Sequence, residues 1–288
     1  MIEHIDIIKK SKAYKIINQD AVSDRIAHSY MVISEDKETS DNFISCMLQT
    51  IYCKSHNACG ICAECTRLEH DNNPNVYKLK KDSAIKVDDI KELIADTSIT
   101  AVENNYKTYV IYNAESMNEA SQNKLLKTIE EPPFGVIIIL AVKSEASMLQ
   151  TIKSRTKKIY LNVWDNATIA KELTKIGINS ENIELAVKFS KGNFTDAKSL
   201  ATDKNFQSAY KNMIDLLTGY TSTTLINKYI KYLGNDKEEF SYYLAIIEGI
   251  ISGTMEDIIN NIPNPLASSY NIATLANLTD LIIDTTKR

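Results

Sequence analysis

A parallel β-sheet covered on both faces by helices, followed by all-helical segments, is the fold class this chain predicts. Three observations carry it. Between His28 and Trp164, continuous apolar runs alternate with amphipathic stretches. After "KKIYLNVW" the strand signal disappears, and helical patterns follow one another to the C-terminus. The 288 residues include 8 glycines and 5 prolines, too few for a turn-rich β architecture.

The elements follow in order. "HSYMVIS" (His28–Ser34) is a short apolar run with β-branched members and reads as a buried strand. Phe43, Ile44, Met47, Leu48 and Ile51 then fall on one stripe of a helix over Asp41–Ile51. "NPNVYKLK" is a second strand opened by Pro74, and Ile85, Val87, Ile90, Leu93 and Ile94 mark a helix in "IKVDDIKELIADTS". "KTYVIYNAE" (Lys107–Glu115) is a third strand. "MNEASQNKLLKTIEEPP" is a helix carrying Met117, Leu125, Leu126 and Ile129, stopped by Pro132 and Pro133, which offer no N–H to the helical ladder. "GVIIILAV" is a fourth strand. In such sheets ligands sit at the carboxyl ends of the strands. Three helical patterns come next: "DNATIAKELTKIGI", "NIELAVKFSKGNFTDAKSLA" and "KNFQSAYKNMIDLLTGY", the first two punctuated by Gly177 and Gly192. The remainder is helical, broken by "GND" (Gly234–Asp236) and "NIPNP" (Asn261–Pro265).

Composition narrows the function. The length allows two or three domains with their own cores. Hydrophobic residues make up 44% and charged residues 24%, an ordinary soluble composition. A net charge of −4 argues against a protein whose main task is gripping phosphate backbones. The longest apolar run, Val136–Val142, is far shorter than the ~20 residues of a membrane span. The N-terminal "MIEHIDIIKKSKAYKII" is amphipathic but has neither an apolar core nor a cleavage site, so the expected location is the cytoplasm, with no membrane partner.

Four of the five cysteines, Cys53, Cys59, Cys62 and Cys65, are packed into "CKSHNACGICAEC". Two C-x-x-C steps sharing Cys62, with a fourth thiol just upstream, can surround one Zn²⁺ tetrahedrally and leave no position for water. That pattern predicts a closed structural site, with Gly60 relaxing the backbone at the knuckle. A redox C-x-x-C needs two sulfurs and leaves Cys53 idle; a disulfide framework suits a small secreted domain. His56 lies inside the knuckle and is an alternative ligand, while His28 and His70 read as packing or hydrogen-bonding residues. Cys46 sits on the apolar stripe of the preceding helix and reads as core.

Four stretches together carry a resemblance. They are "RIAHSYMVIS" (Arg25–Ser34), the cysteine knuckle, "NAESMNEASQNKLLKTIEEPP" (Asn113–Pro133) and "TIKSRT" (Thr151–Thr156). In this order they resemble the bacterial DNA polymerase III clamp-loader family, AAA+ modules followed by a collar. The resemblance implies three domains: an AAA+ module over residues 1–160 with a zinc module near 53–65, a helical lid over 161–203, and an α-helical collar over 204–288. "TIKSRT" matches the family's Ser-Arg-Cys motif, with Thr156 in the last place. The gap from Cys53 to Cys59 is shorter than the family's usual one, so the loop Lys54–Ala58 must be trimmed.

The departures from the family pattern matter as much. An active member carries a Gly-rich loop ending in Gly-Lys-Thr, whose N–H groups cradle phosphates. Here "SEDKETSD" (Ser34–Asp41) has no glycine, and Ser40 and Asp41 fall where the Lys and Thr would lie. Glu35, Asp36, Glu38 and Asp41 place negative charge there, and Lys37 alone does not restore the loop. Tyr112 and Asn113 occupy the Asp-Glu positions of the Walker B strand, and Glu115 lies too far along to be assumed their equivalent. Ala141 and Val142 replace a polar sensor, and Thr195 stands where a second-sensor Arg would be. Arg155 is kept. The family's equivalent faces the γ-phosphate of a neighbouring subunit, and a trans arginine stabilises the charge that develops in phosphoryl transfer.

These residues imply a non-hydrolysing, stator-like member of a hetero-oligomeric ring. Its implied partners are gamma/tau motor subunits and a delta subunit, with the sliding clamp and primer–template DNA reached through the complex. Two alternatives are an ATP-hydrolysing motor subunit of the same fold and a zinc-dependent nucleic-acid-binding regulator. Beside the sharper readings stand plainer ones. Arg155, Lys153, Lys157 and Lys158 would be a solvated basic run, Ser154 a turn-orienting residue, and Glu130, Glu131, Pro132 and Pro133 a helix stop.

Overall fold

The first unit contains five strands: β1 Ser29–Ile33, β2 Val76–Leu79, β3 Lys107–Ile111, β4 Val136–Val142 and β5 Lys157–Tyr160. All pair parallel, in the order β2-β3-β4-β1-β5. Ser29 lies opposite Ile138, and Tyr30 opposite Lys157. The computed structural model describes residues 2–81, 83–97, 106–218 and 237–286. The chain divides into two units, Met1–Val163 and Trp164–Arg288.

In the first unit the helices are α1 Ile5–Lys10, α2 Lys12–Val22, α3 Lys37–Tyr52, α4 Ala63–Glu69, α5 Val87–Asp96, α6 Glu119–Glu130 and α7 Gln150–Lys153. Because side chains alternate across a strand, β4 feeds two cores. Ile137, Ile139 and Ala141 pack with Tyr14 and Ile17 of α2 and Phe43 and Met47 of α3. Ile138, Leu140 and Val142 pack with Ile90 and Leu93 of α5, Leu125 and Ile129 of α6, and Ile152 of α7. All seven residues of β4 are buried, which is why its sequence shows no polar alternation.

Among the boundaries that differ from the sequence expectation, two bear on function. Helix α3 starts at Lys37 rather than Asp41, because the Asp36 carboxylate accepts the Thr39 N–H at 3.1 Å and caps it. Strand β3 ends at Ile111; the Tyr112 N–H makes a last bond to Leu79 O at 3.0 Å, and the chain turns away at Asn113, which has the left-handed φ of 50°. At α6, Asn118 caps the start, and the Glu131 N–H closes the end on Lys127 O ahead of the two prolines.

The second unit contains α8 Asn166–Lys175, α9 Ser180–Ser190, α10 Phe194–Thr202, α11 Phe206–Thr218, α12 Lys237–Ile259 and α13 Ile272–Thr286. Ile169, Leu173, Ala186 and Phe194 form one cluster, with the Trp164 ring stacked on Phe194 at 4.8 Å. Phe206, Met213, Ile246, Ile250 and Leu266 form another. Gly249 lets α12 approach α9: a Cβ there would lie 2.3 Å from Phe189 Cε1. The break at Asn261–Pro265 is a left-handed Asn261 followed by a 3-10 turn capped by Asn264. The break expected at Gly234–Asp236 lies outside the described residues. Among the described residues no helix is long and apolar enough to cross a membrane.

A polar contact fastens α5 to β3. The ammonium of buried Lys107 lies 2.8 Å from Asp96 Oδ2, which also accepts the Tyr109 hydroxyl at 2.9 Å. These partners, Lys107 first, hold the Asp96 carboxyl below its ordinary value against a smaller desolvation effect. A depressed carboxyl contributes stability above its unfolded pKa of ~3.9 and loses it as pH falls through the folded value. Asp96→Asn should therefore cost about 1–2 kcal/mol at pH 7, a range reduced for solvent screening of a partly exposed group. Urea titrations should show wild type and variant converging as pH drops below ~4.

Candidate functional site

Three places hold the residues singled out by sequence, and the strand direction separates them. The first is the cysteine knuckle. Helix α3 ends at Tyr52, whose hydroxyl bonds Asn75 O, Tyr106 O and Thr108 Oγ1 beside the starts of β2 and β3. The chain therefore enters the knuckle at the amino edge of the sheet. The four sulfurs lie within 4.8 Å of one another, with Cys53–Cys62 at 3.9 Å and Cys59–Cys65 at 4.0 Å. Four metal–sulfur bonds of ~2.3 Å define a tetrahedron with edges of about 3.8 Å. A disulfide requires about 2.05 Å, and all five cysteines are free thiols. The donor set therefore fits a tetrahedral thiophilic cation.

The surroundings of the sulfurs agree with that fit. Burial works against ionisation of Cys53, but the Ser55 hydroxyl and the N–H groups of Cys59, Ser55 and Asn57 outweigh it and draw the thiol down to about 5. N–H groups of Ile61 and Cys62 lower Cys59. Burial pushes Cys65 up. A central cation is what would let the buried Cys65 ionise next to its neighbours. Gly60, at φ 74°, supplies the left-handed turn of the knuckle. Lys9 Nζ donates to Ala58 O at 3.1 Å and Asn18 Nδ2 to His56 O at 2.5 Å, fastening the knuckle to α1 and α2. His56 is not a member of the cluster, because its Nδ1 lies 3.1 Å from Thr50 O. Cys46 is buried in the core, where desolvation pushes its thiol up to about 11.

The second place is a cleft of about 130 Å³ at the carboxyl edge of the sheet. It is lined by Ser34, Ser40, Asp41, Tyr112, Asn113, Ala141 and Val142, so the residues expected at the nucleotide site do come together. Pockets for drug-sized ligands run to about 300–1,000 Å³, well above this volume. Three residues, Ser34–Asp36, link β1 to α3, and the Ser34 hydroxyl bonds back to Asp36 N and O. Tyr112 is 6% exposed, and Lys80 Nζ sits 4.1 Å from its ring centroid.

The charge here corrects the sequence reading. Of the four acidic residues, Asp41 alone lines the cleft; Asp36 is engaged as the helix cap, Glu35 is exposed, and Glu38 is half-buried in the first turn of α3. Lys37, Lys80, Lys81 and Lys143 line it as well. Lys37, the first residue of α3, is exposed at the rim of the cleft. Lys80 and Lys81 arrive from the end of β2, which sequence proximity did not reveal. Lys80 lies 3.5 Å from Asp41 and Lys81 2.6 Å from Asp89.

The third place is Arg155. It follows α7, where buried Ile152 accepts the Thr156 hydroxyl at 3.0 Å and Thr151 O accepts the Ser154 hydroxyl at 3.0 Å. The Ser29 hydroxyl donates to Arg155 O at 2.8 Å, fixing this turn beside the first residue of β1. The Arg155 side chain is 42% exposed, with Nε 3.0 Å from Glu130 Oε1, and Nη1 donates to Thr151 O and Ser154 Oγ at 3.2 and 3.3 Å. Five residues of β1 separate Ser29 from the cleft residue Ser34, about 17 Å of strand. Arg155 and this chain's own cleft are thus at opposite edges. Lys157 is paired with Asp20 and Lys158 with Glu145. Thr195 lies in the first turn of α10, in the second unit.

Residues 9–165 match the family described as DNA polymerase III, delta subunit. The chain is similar to the DNA polymerase III subunit gamma of Buchnera aphidicola, 26% identical over 249 residues that cover 79% of this chain and 67% of that protein. It is similar to subunit tau of Escherichia coli, 24% identical over 245 residues covering 82% and 36%. It is also similar to subunit delta' of Bacillus subtilis, 25% identical over 210 residues covering 71% and 63%. The chain thus spans about a third of the tau subunit and about two thirds of the other two.

Proposed function

We propose, since the chain belongs to the DNA polymerase III delta subunit family, that it is a clamp-loader subunit of the delta-prime type. In this reading it hydrolyses no ATP itself and presents Arg155 to the ATP site of an adjacent motor subunit. The carrying observation is the position of Arg155, exposed at the sheet edge opposite the chain's own cleft. A guanidinium placed there serves phosphoryl transfer through another subunit's nucleotide, where it would stabilise charge on the transferring group. The glycine-free three-residue link and the buried Tyr112 support a first unit of AAA+ type that has given up its own nucleotide chemistry. Zn²⁺ held by Cys53, Cys59, Cys62 and Cys65 would be a structural clasp. The helical segments 161–203 and 204–288 would act as lid and collar in a ring with gamma/tau and delta subunits.

A second reading, a motor subunit of the gamma/tau type, is favoured by two observations. The similarity to tau extends over 82% of the chain, and four lysines line the cleft. Calorimetric titration of the isolated chain with ATP and Mg²⁺ separates the two. The delta-prime reading expects no binding at micromolar concentration, and a micromolar dissociation constant would establish the motor reading instead.

Two further outcomes follow from the sites. In a complex reconstituted with gamma/tau and delta subunits, Arg155→Ala should leave assembly intact. It should remove about 10³-fold or more of the hydrolysis rate at the one site it completes. Unchanged clamp- and DNA-stimulated hydrolysis would exclude the trans role. For the knuckle, chain purified without chelator should carry about one zinc by mass spectrometry. Cys59→Ser should lose the metal and melt several degrees lower, as should wild type stripped by a chelator; wild type that melts at the same temperature with and without the metal would rule out the clasp.

A further inference from the structure

Glu130 occupies the last residue of α6, where the negative end of the helix dipole disfavours a carboxylate. Its position is nevertheless well determined. Leu125 and Ile129 bury the last turns of the helix, and Pro132 and Pro133 prevent the helix from running on. The carboxylate meets Arg155 Nε at 3.0 Å. Both side chains are partly exposed, 39% and 42%, and pairs of that kind contribute little to stability. A locally unfavourable charge that adds little to the fold is the pattern expected of a functional placement.

The remaining contacts show what the pairing does. Glu130 takes the Nε–H, and Thr151 O with Ser154 Oγ take Nη1, so three acceptors fix the plane of the guanidinium. Among the described residues Nη2 has no partner, and it is the edge left for an incoming oxyanion. We propose that Glu130 is a positioning residue. It orients the Arg155 fork in the free chain so that Nη2 is presented to the phosphate of the adjacent subunit with little ordering left to do. This rests on the trans role assigned to Arg155 above.

The test uses the reconstituted complex, measuring steady-state ATP hydrolysis in the presence of clamp and primed DNA. Glu130→Ala should lower kcat at the completed site about two- to fivefold, the range of an exposed ion pair, with KM and assembly unchanged. Glu130→Gln keeps an oxygen acceptor for the Nε–H and should recover most of the rate. The double variant Glu130→Ala/Arg155→Ala should be no slower than Arg155→Ala. An Ala variant as fast as wild type, or faster, overturns the inference, as does a Gln variant no better than Ala. A loss in Arg155→Ala with none in Glu130→Ala removes the positioning role and leaves the trans role standing. No loss in either removes both.

Discussion

Every strand of the sheet runs in the same direction, and the placement of each candidate site depends on that constraint. A parallel sheet has one edge where all strands begin and one where all end. Loops that leave strand ends build the cleft; turns that enter strand starts carry Arg155, the Glu130–Pro133 segment and the knuckle. Register fixes this further, since Tyr30 opposite Lys157 sets the Arg155 turn beside the beginning of β1. No side-chain rotation brings Arg155 across about 17 Å of strand to the chain's own cleft. The separation comes from the backbone topology, and this gives the trans assignment its weight.

Helix α3 joins the two edges. Its 16 residues span about 24 Å, from the cap at Asp36 beside the cleft to Cys53 at the knuckle. Phe43, Ile44, Met47 and Leu48 bury it against the sheet, so it behaves as a rigid strut whose two ends cannot move independently. A cation held by the four sulfurs at the far end would fix where the strut stops. On that view the knuckle and the cleft are two ends of one element, and the knuckle needs no chemistry of its own to matter.

How much of this could be read from sequence varies from residue to residue. Strands such as β4 were legible because full burial on both faces leaves a continuous apolar run, and α6 because its stripe ends at two prolines. The four cysteines were legible because metal ligation depends on local spacing. The start of α3 was not: Asp36 was read as a misplaced charge in a phosphate loop, whereas its carboxylate is a helix cap. Neither were the cleft lysines, since Lys80 and Lys81 come to the cleft through β2, and Lys80 reaches Tyr112 and Asp41 from about forty residues away in sequence. The Glu130–Arg155 pair spans 25 positions and depends on the packing of two helix ends. Local chemistry shows in sequence; charge pairing set by topology does not.

The lysines of the cleft sharpen the distinction between attracting an anion and binding a nucleotide. Positive charge raises the local concentration of phosphate whatever the backbone does. A nucleotide site also needs several N–H groups of one loop aimed inward, which requires glycine-rich backbone and enough residues to encircle an oxyanion. Ser34–Asp36 supplies neither, and the Thr39 N–H, one of the orphan donors of α3, is already taken by Asp36. A phosphate arriving there would have to displace an internal carboxylate held at 3.1 Å and repelled by the newcomer. Asp41 beside Lys80 places a negative group in the cleft lining itself. Under the delta-prime reading, the loss of nucleotide chemistry therefore lies in the backbone and the cap rather than in the net charge of the cleft.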